Sequence, residues 1–288
     1  MVVKLNRKSL CFLLTAVLVF TAIVGMIAHP QVLAEKDVTQ SFAIVMYHHI
    51  SADKNRLGNY VISPEQLEND FRYLTERGYQ TITVRDLYAI ANRQKTLPEK
   101  AIMITFDDGQ ESFYRYAYPL LQKYHFTAVL SLIGRYTEQF SAMDDHNINY
   151  SHVTWSEVKE MADSAIVEFG NHSYNMHSNN GVGRIGVTKM KGESSEAYAK
   201  ALNEDIAEFN RLFEKNVGFI PSIYTYPFGR FSDETAEIIR QNGFSAAFNC
   251  FEKRVVPFSD EDWLLYLGRY NRPSGKSSEA FFKKLDVI

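Results

Sequence analysis

"AIMITFDDGQESF", Ala101 to Phe113, sets an unbroken apolar run against two adjacent aspartates and a glycine. A strand with one wet face alternates apolar and polar residues, whereas this run is apolar throughout and so must be buried on both faces. "FAIVMY", "AVLSLI", "AIVEF" and "IYTYP" are further strand-like runs, several of them apolar on both faces, with helical segments between. Continuous apolar strands alternating with helices predict an α/β fold of parallel β/α units, closed or nearly closed into a barrel. In such folds functional groups gather beyond the C-terminal ends of the strands, where Asp107 and Asp108 stand.

The joints between elements are also legible. A helix, a short break and an apolar strand recur in "LTERGYQTITV", "LQKYHFTAVLSL" and "IRQNGFSAAFNC", with Gly78 and Gly243 where a helix C-cap favours a left-handed residue. Ser63 before Pro64, three residues ahead of Gln66, is a capping pattern, with Leu67, Phe71 and Leu74 on one helical face. Thr154 and Glu157 predict a second capped helix over about Trp155 to Asp163, and Ser232 a third toward Arg240. "SNNGVGRIGVTKMKGESS" reads as a surface loop before a helix from about Glu196 to Glu214.

The chain of 288 residues is 45% hydrophobic, enough for one sizeable core, and no Pro/Ser-rich linker divides residues 42–288. A net charge of -3 argues against nucleic acid as the main partner, because phosphate binding leaves a basic footprint, and no polybasic membrane patch is present. Lys4, Arg7 and Lys8 precede an uncharged stretch from Ser9 to Ala28, then Val32-Leu33-Ala34. Residues 1–34 therefore read as a signal peptide cleaved after Ala34 or, uncleaved, as an anchor, with a short tether over 35–41. Either outcome places the domain outside the cytoplasm. Of two cysteines, Cys11 lies in the signal and Cys250 in the body, so no intramolecular disulfide survives cleavage.

Four strand ends carry polar or aromatic clusters. His48 and His49 follow "FAIVMY", Asp107 and Asp108 follow "AIMITF", His172 follows "AIVEFGN", and Tyr226-Pro227-Phe228-Gly229 follows "SIYT". As strand-end neighbours, Asp107 and Asp108 leave opposite sides of the backbone, so one can ligate a metal while the other acts as a base. A lone Asp-Gly is more often a turn or cap, and the second acid weakens that reading. His172 and His177 are five apart, which suits neither a helix face nor a strand face, so the segment must turn for both to meet one ion. Asn171, Ser173 and Asn175 supply turn chemistry there. With Asp108 the two histidines would give two nitrogens and one oxygen with a position open to water. One of His48 and His49 should point inward, as a candidate general acid or as a core histidine. Asp144, Asp145, His146 and His152 read as loop, His125 as structural, and Cys250 as a buried small side chain. Tyr174, Tyr226, Phe228 and Trp155 are candidates for an aromatic sugar platform or for core.

These residues resemble the polysaccharide deacetylases of carbohydrate esterase family 4. "TFDDG" is similar to the family's first motif, which implies Asp107 as catalytic base and Asp108 as metal ligand. "HSYNMH" resembles its second motif, implying His172 and His177 as the other ligands. The motif is usually H-[ST]-x-x-H, and the extra residue here resembles the branch that deacetylates poly-β-1,6-N-acetylglucosamine. In that branch an N-terminal Tyr-His supplies the acid, and "MYHHI" points to His48. "LYLGRYN" stands where the usual Leu-x-His would be. "YTYPFG" keeps Pro227 and Phe228 of the third motif but has Thr225 in place of its arginine. The resemblance implies an oxyanion contact from the Phe228 N–H, substrate contacts by Tyr226, Pro227, Phe228 and Arg269, and Arg269 or Arg230 in the arginine's orienting role. It also implies a distorted (β/α) barrel, a divalent ion (Zn²⁺, with Co²⁺ or Ni²⁺ as alternatives), and a monomer acting on an N-acetylglucosamine polysaccharide. The alternatives are a two-carboxylate glycoside hydrolase on a β/α barrel and a catalytically silent glycan-binding module.

Overall fold

In the computed structural model, which describes residues 40–286 apart from 180 and 182, the run "AIMITF" is a strand walled in on both faces. The described residues belong to one compact unit, Val38–Ile288. The signal or anchor at 1–34 and the tether up to residue 39 lie outside the described residues, as does Cys11. Among the described residues no helix is long and apolar enough to cross a membrane.

Strand β1 (Ala43–Tyr47) is followed by the short β2 (His49–Ile50) and β3 (Val61–Ile62), which pair with each other. After helix α1 (Pro64–Glu76) come β4 (Gln80–Thr81), α2 (Val84–Ala91) and β5 (Ala101–Phe106). Then follow α3 (Tyr118–Tyr124), β6 (Ala128–Leu132), α4 (Gly134–Met143), α5 (Trp155–Asp163) and β7 (Val167–Asn171). The long α6 (Ser195–Val217), β8 (Ile223–Thr225), α7 (Thr235–Gln241), β9 (Ala246–Phe248), β10 (Tyr270–Asn271) and α8 (Ser278–Asp286) complete the order.

The main sheet runs β10-β1-β5-β6-β7-β8-β9, with β4 beside β5, and every pairing is parallel. Its two edges meet through residues 267–271. Leu267 bridges Phe248 of β9, and Tyr270 and Asn271 pair with β1. The sheet thus comes round into a barrel closed on one side by a single bridge. Register places Tyr47 beside Phe106, Leu132 beside Asn171 and Thr225 beside Phe248, so these C-terminal ends share one rim.

Both faces of β1 and β5 are buried, against different partners. Val45, Tyr47, Ile104 and Phe106 meet Leu67, Phe71 and Leu74 of α1 and Leu121 of α3. Ile44 and Met103 face Leu87 and Ile90 of α2 with Phe248, Trp263 and Leu267. Under the rim, Arg272 donates to both Asp70 oxygens at 2.8 Å and the Tyr47 hydroxyl adds a third bond at 3.0 Å, all fully enclosed.

Local chemistry explains most boundaries. Ser63 accepts from the Gln66 N–H, and Thr154 and Glu157 form a reciprocal capping box. Gly78 (φ 73°) and Gly243 (φ 88°) take left-handed positions at the helix ends. At the third joint His125 itself adopts the left-handed cap, φ 54°. Two expectations differ. Ser232 does not cap α7, which starts at Thr235. Its hydroxyl accepts from the Lys189 N–H, and the Thr235 hydroxyl accepts from the Ser232 N–H. The strand in "LTERGYQTITV" is only two residues long, because Thr83 accepts from the Asp86 N–H and caps α2 immediately.

Candidate active site

At the rim the carboxylates of Asp107 and Asp108 separate sharply. The separation does not come from strand alternation alone, as expected from the sequence. Strand β5 ends at Phe106, and both Asp108 (φ 72°) and Gly109 (φ 71°) are left-handed, so the chain turns away at once. Aspartate tolerates that region better than most residues. Gly109 is required twice over, since a Cβ there would lie 2.8 Å from Leu132 Cδ2.

Asp107 is enclosed by Arg269, whose Nη1 and Nη2 donate to Oδ1 and Oδ2 at 2.7 Å each. The guanidinium is itself fixed by donating to the Asn249 carbonyl (3.0 Å) and to Thr105 Oγ1 (3.2 Å). Burial, the largest single influence, would raise Asp107, but the Arg269 charge and the other lowering contacts together outweigh it. With His172, the paired hydrogen bonds and His48, that charge holds the carboxyl well below the usual range. Asp107 is therefore held in its ionised form, with lone pairs free to accept.

Asp108 faces the other way, with Oδ1 3.6 Å from His172 Nε2 and 3.4 Å from His177 Nε2. These three offer ligand atoms all within 4.8 Å of one another. Ligands about 2.0–2.1 Å from a tetrahedral ion stand roughly 3.3–3.4 Å apart, so the spacing fits a divalent metal. His172 Nδ1 donates to the Thr225 carbonyl at 2.8 Å, which leaves Nε2 as the lone-pair nitrogen aimed at Asp108. Burial lowers His172 to about 3 and also lowers His177, so both imidazoles are neutral, as metal ligands must be. Burial, reinforced by the neighbouring Asp107 charge, lifts Asp108 to about 6, a strain that a cation would relieve.

The five-residue gap between the histidines is a built turn. Asn171 Oδ1 accepts from the Ser173 N–H (2.7 Å), and Ser173 Oγ accepts from the Met176 N–H (3.1 Å). Between them the Asp205 carboxylate, from α6, accepts from the N–H groups of Tyr174 (2.8 Å) and Asn175 (2.7 Å). Asn175 contributes nothing to this turn through its side chain, which instead accepts from Arg135. Asp205 had no place in the sequence reading. Its only signal is an acid among Leu202, Ile206 and Phe209 on the buried face of a helix.

His48 and His49, both half-buried, take different surroundings. His48 lies near enough to act electrostatically on both aspartates, its ring 4.9 Å from that of Tyr60 and its buried Nδ1 without a partner. His49 shares a hydrogen bond with Ser112 Oγ (3.0 Å), and burial drops it to about 4.

The third motif divides its residues. Phe228 is exposed, left-handed at φ 60°, with its ring 4.4 Å from His177. Pro227 is buried beside it. Tyr226, expected at the substrate, is fully enclosed between Phe231 and Tyr224 with its hydroxyl toward the Leu265 carbonyl, so its side chain is core. Arg269, also expected at the substrate, is fully enclosed and reaches it only through Asp107. Thr225 turns its hydroxyl to Ser131 (2.6 Å), and Arg230 is exposed. Trp155 is buried, in line with the core alternative, and the half-buried Tyr174 donates to Glu138. A groove beside Asp108 and His177 is lined by Gln110, Tyr136, Gln139, Phe140, Tyr150 and His152. Cys250 is half-buried, with its thiol raised by burial.

A family model described as polysaccharide deacetylase matches residues 94–247, just over half of the chain. Over 252 residues the chain is 24% identical to the poly-beta-1,6-N-acetyl-D-glucosamine N-deacetylase of Escherichia coli (strain K12). That match spans 82% of this chain but only 37% of the relative. The enzyme of the same name from Staphylococcus aureus (strain MRSA252) is 26% identical over 213 residues, 74% of this chain and 69% of the relative. Among solved structures, a de-N-acetylase from Aggregatibacter actinomycetemcomitans superposes with a TM-score of 0.72 at 23% identity, covering 85% of this chain and 99% of that one.

Proposed function

The chain belongs to the polysaccharide deacetylase family, and from that premise we propose that it is an exported N-deacetylase hydrolysing N-acetyl groups on N-acetylglucosamine units of a cell-wall or matrix polysaccharide. The reading rests above all on one observation: two sequence neighbours with opposite electrostatic fates, Asp107 pinned to Arg269 and Asp108 turned to two neutral histidines.

Asp108, His172 and His177 would hold the divalent ion, Zn²⁺ in preference to Co²⁺ or Ni²⁺. When bound, that ion supplies a Lewis acid for the acetamide carbonyl and lowers the pKa of nearby water. Asp107, kept ionised by Arg269, accepts a proton from the attacking water as its oxygen bonds to the carbonyl carbon. The Phe228 N–H donates to the oxyanion that develops there. His48 then gives a proton to the sugar nitrogen as the C–N bond breaks, and acetate and the free amine leave. The exposed rings of Tyr136 and Tyr150 line the groove and are suited to sugar faces. The protein is read as a monomer, secreted or surface-held by the segment at 1–34, with no nucleic-acid partner.

The test separates the two aspartates. Asp108→Asn should lose the metal, whereas Asp107→Asn should retain it and lose acetate release. Equal metal loss in both would refute the division of roles. An acetate-release panel of peptidoglycan, poly-β-1,6-N-acetylglucosamine and chitin oligomers, with and without chelator, identifies the polymer.

A further inference from the structure

Behind the groove lies a second cluster that the chemistry above does not use. We propose that Glu111, His146 and Glu157 form a separate divalent-cation site, of the zinc or manganese class, that fastens the 144–153 loop to the turn following β5.

The donor atoms of the three residues lie within 4.8 Å of one another. His146 Nδ1 stands 3.4 Å from Glu111 Oε1 and 3.1 Å from Glu157 Oε1, close to the ligand spacing at Asp108. Nδ1 is buried, yet it makes no hydrogen bond to either carboxylate at these distances. Glu111 is fully enclosed, and its Oε2 has no hydrogen-bond partner among the described residues. Burying a carboxylate oxygen without a donor or cation is costly.

The remaining contacts orient the Glu157 carboxylate and leave Glu111 with one oxygen shared with Arg115 and one unengaged. Glu157 Oε2 accepts from the Thr154 N–H (2.8 Å) and hydroxyl (2.9 Å), which leaves Oε1 toward His146. Arg115 donates to Glu111 Oε1 at 2.9 Å but is half-exposed, so it compensates only part of two buried negative charges. Burial and the Glu157 charge together raise Glu111. On the outer side of the imidazole, Asp144 Oδ1 lies 3.2 Å from His146 Nε2, the carboxylate–histidine arrangement that orients many metal ligands. Two carboxylates with one imidazole favour zinc or manganese over calcium or magnesium.

The position gives the site its consequence. Glu111 lies three residues beyond Asp108, and its N–H donates to the Ser151 carbonyl (2.9 Å), while Val153 donates to Gly109 (2.9 Å). An ion here would fix the wall that carries Tyr150 and His152 against the loop that carries both catalytic carboxylates.

The competing arrangement is a protonated His146 acting as the cation between the two glutamates. Metal content after chelator dialysis and reloading with zinc separates the two. Expected are two equivalents in the native chain, one in Asp108→Asn, one in His146→Ala and none in the double variant. Glu111→Gln serves as a second probe, with circular dichroism verifying each fold. A native chain holding one equivalent, unchanged in His146→Ala and Glu111→Gln, would overturn the proposal in favour of the protonated imidazole. Loss of metal in His146→Ala alone, with none in Asp108→Asn, would fault the primary centre and leave this one standing.

Discussion

Replacing Arg269 by methionine isolates the electrostatics of the site from its metal. Arg269 is fully enclosed and the Asp107 side chain is 3% exposed, so removal of the guanidinium leaves a carboxylate with neither water nor a counter-charge. Breaking one partner of a buried pair destabilises by about 3–5 kcal/mol. With a urea dependence near ~3 kcal/mol/M for a chain of this size, the midpoint of the metal-free protein should fall by roughly 1–2 M. The pH dependence should reverse as well. In the native chain Asp107 is depressed, so its contribution is present above the unfolded value of ~3.9 and is lost as pH falls below it. In Arg269→Met burial, the largest influence on Asp107, is opposed only by His172 and His48, so the folded value should rise above the unfolded one and stability should increase as pH drops from 7 toward 5. Comparing variant with native at each pH cancels the other titrating groups. Adding Asp107→Asn should restore most of the loss, because no charge remains to be stranded. A single variant within about 0.5 kcal/mol of native at pH 7, with an unchanged pH slope, would refute this account.

Asp70→Ala strands Arg272 in the same way beneath the rim and should cost about 3–5 kcal/mol in chemical denaturation. Asp205→Ala should leave the fold intact but loosen the turn that presents His177, lowering metal affinity by roughly 10–100-fold in a titration. Burial raises Asp205 to about 6, so its contribution is complete below the unfolded value of ~3.9 and is lost as pH rises through 6, a slope that Asp205→Asn should flatten. Gly109→Ala meets both a positive φ and Leu132 Cδ2, and should cost about 1–3 kcal/mol while displacing Asp108.

The parallel β/α architecture was legible because burial on both faces of a strand leaves an apolar run that period-2 alternation cannot mimic, as in β1 and β5. Capping at Ser63 and Thr154 was legible because it depends on residues three apart. The two aspartates and the paired histidines were visible as groups, since each sits just past a strand. What holds them was not. Asp205 lies 30 residues from Asn175, and Arg269 lies 162 from Asp107. Asp205 shows only as an acid on an apolar helix face, and Arg269 was reached only through the family resemblance, as one of two candidates for the missing arginine's role. Tyr226 was misplaced for a different reason: the chain enters the left-handed region at Phe228, so aromatics two residues apart face core and solvent. The acid/histidine stretch around His146 read as loop, and it is loop. Its partners come from the β5 turn and α5, which no window of sequence brings together.

The closing stretch of the barrel carries a further consequence, for the timing of activity. Arg269 and Arg272 both ride on residues 267–272, which join the two sheet edges. Until that late-synthesised stretch docks, Asp107 and Asp70 have no counter-charge, although the metal ligands are already in the chain. On the roles proposed above, completion of the barrel and competence of Asp107 as a base are one event.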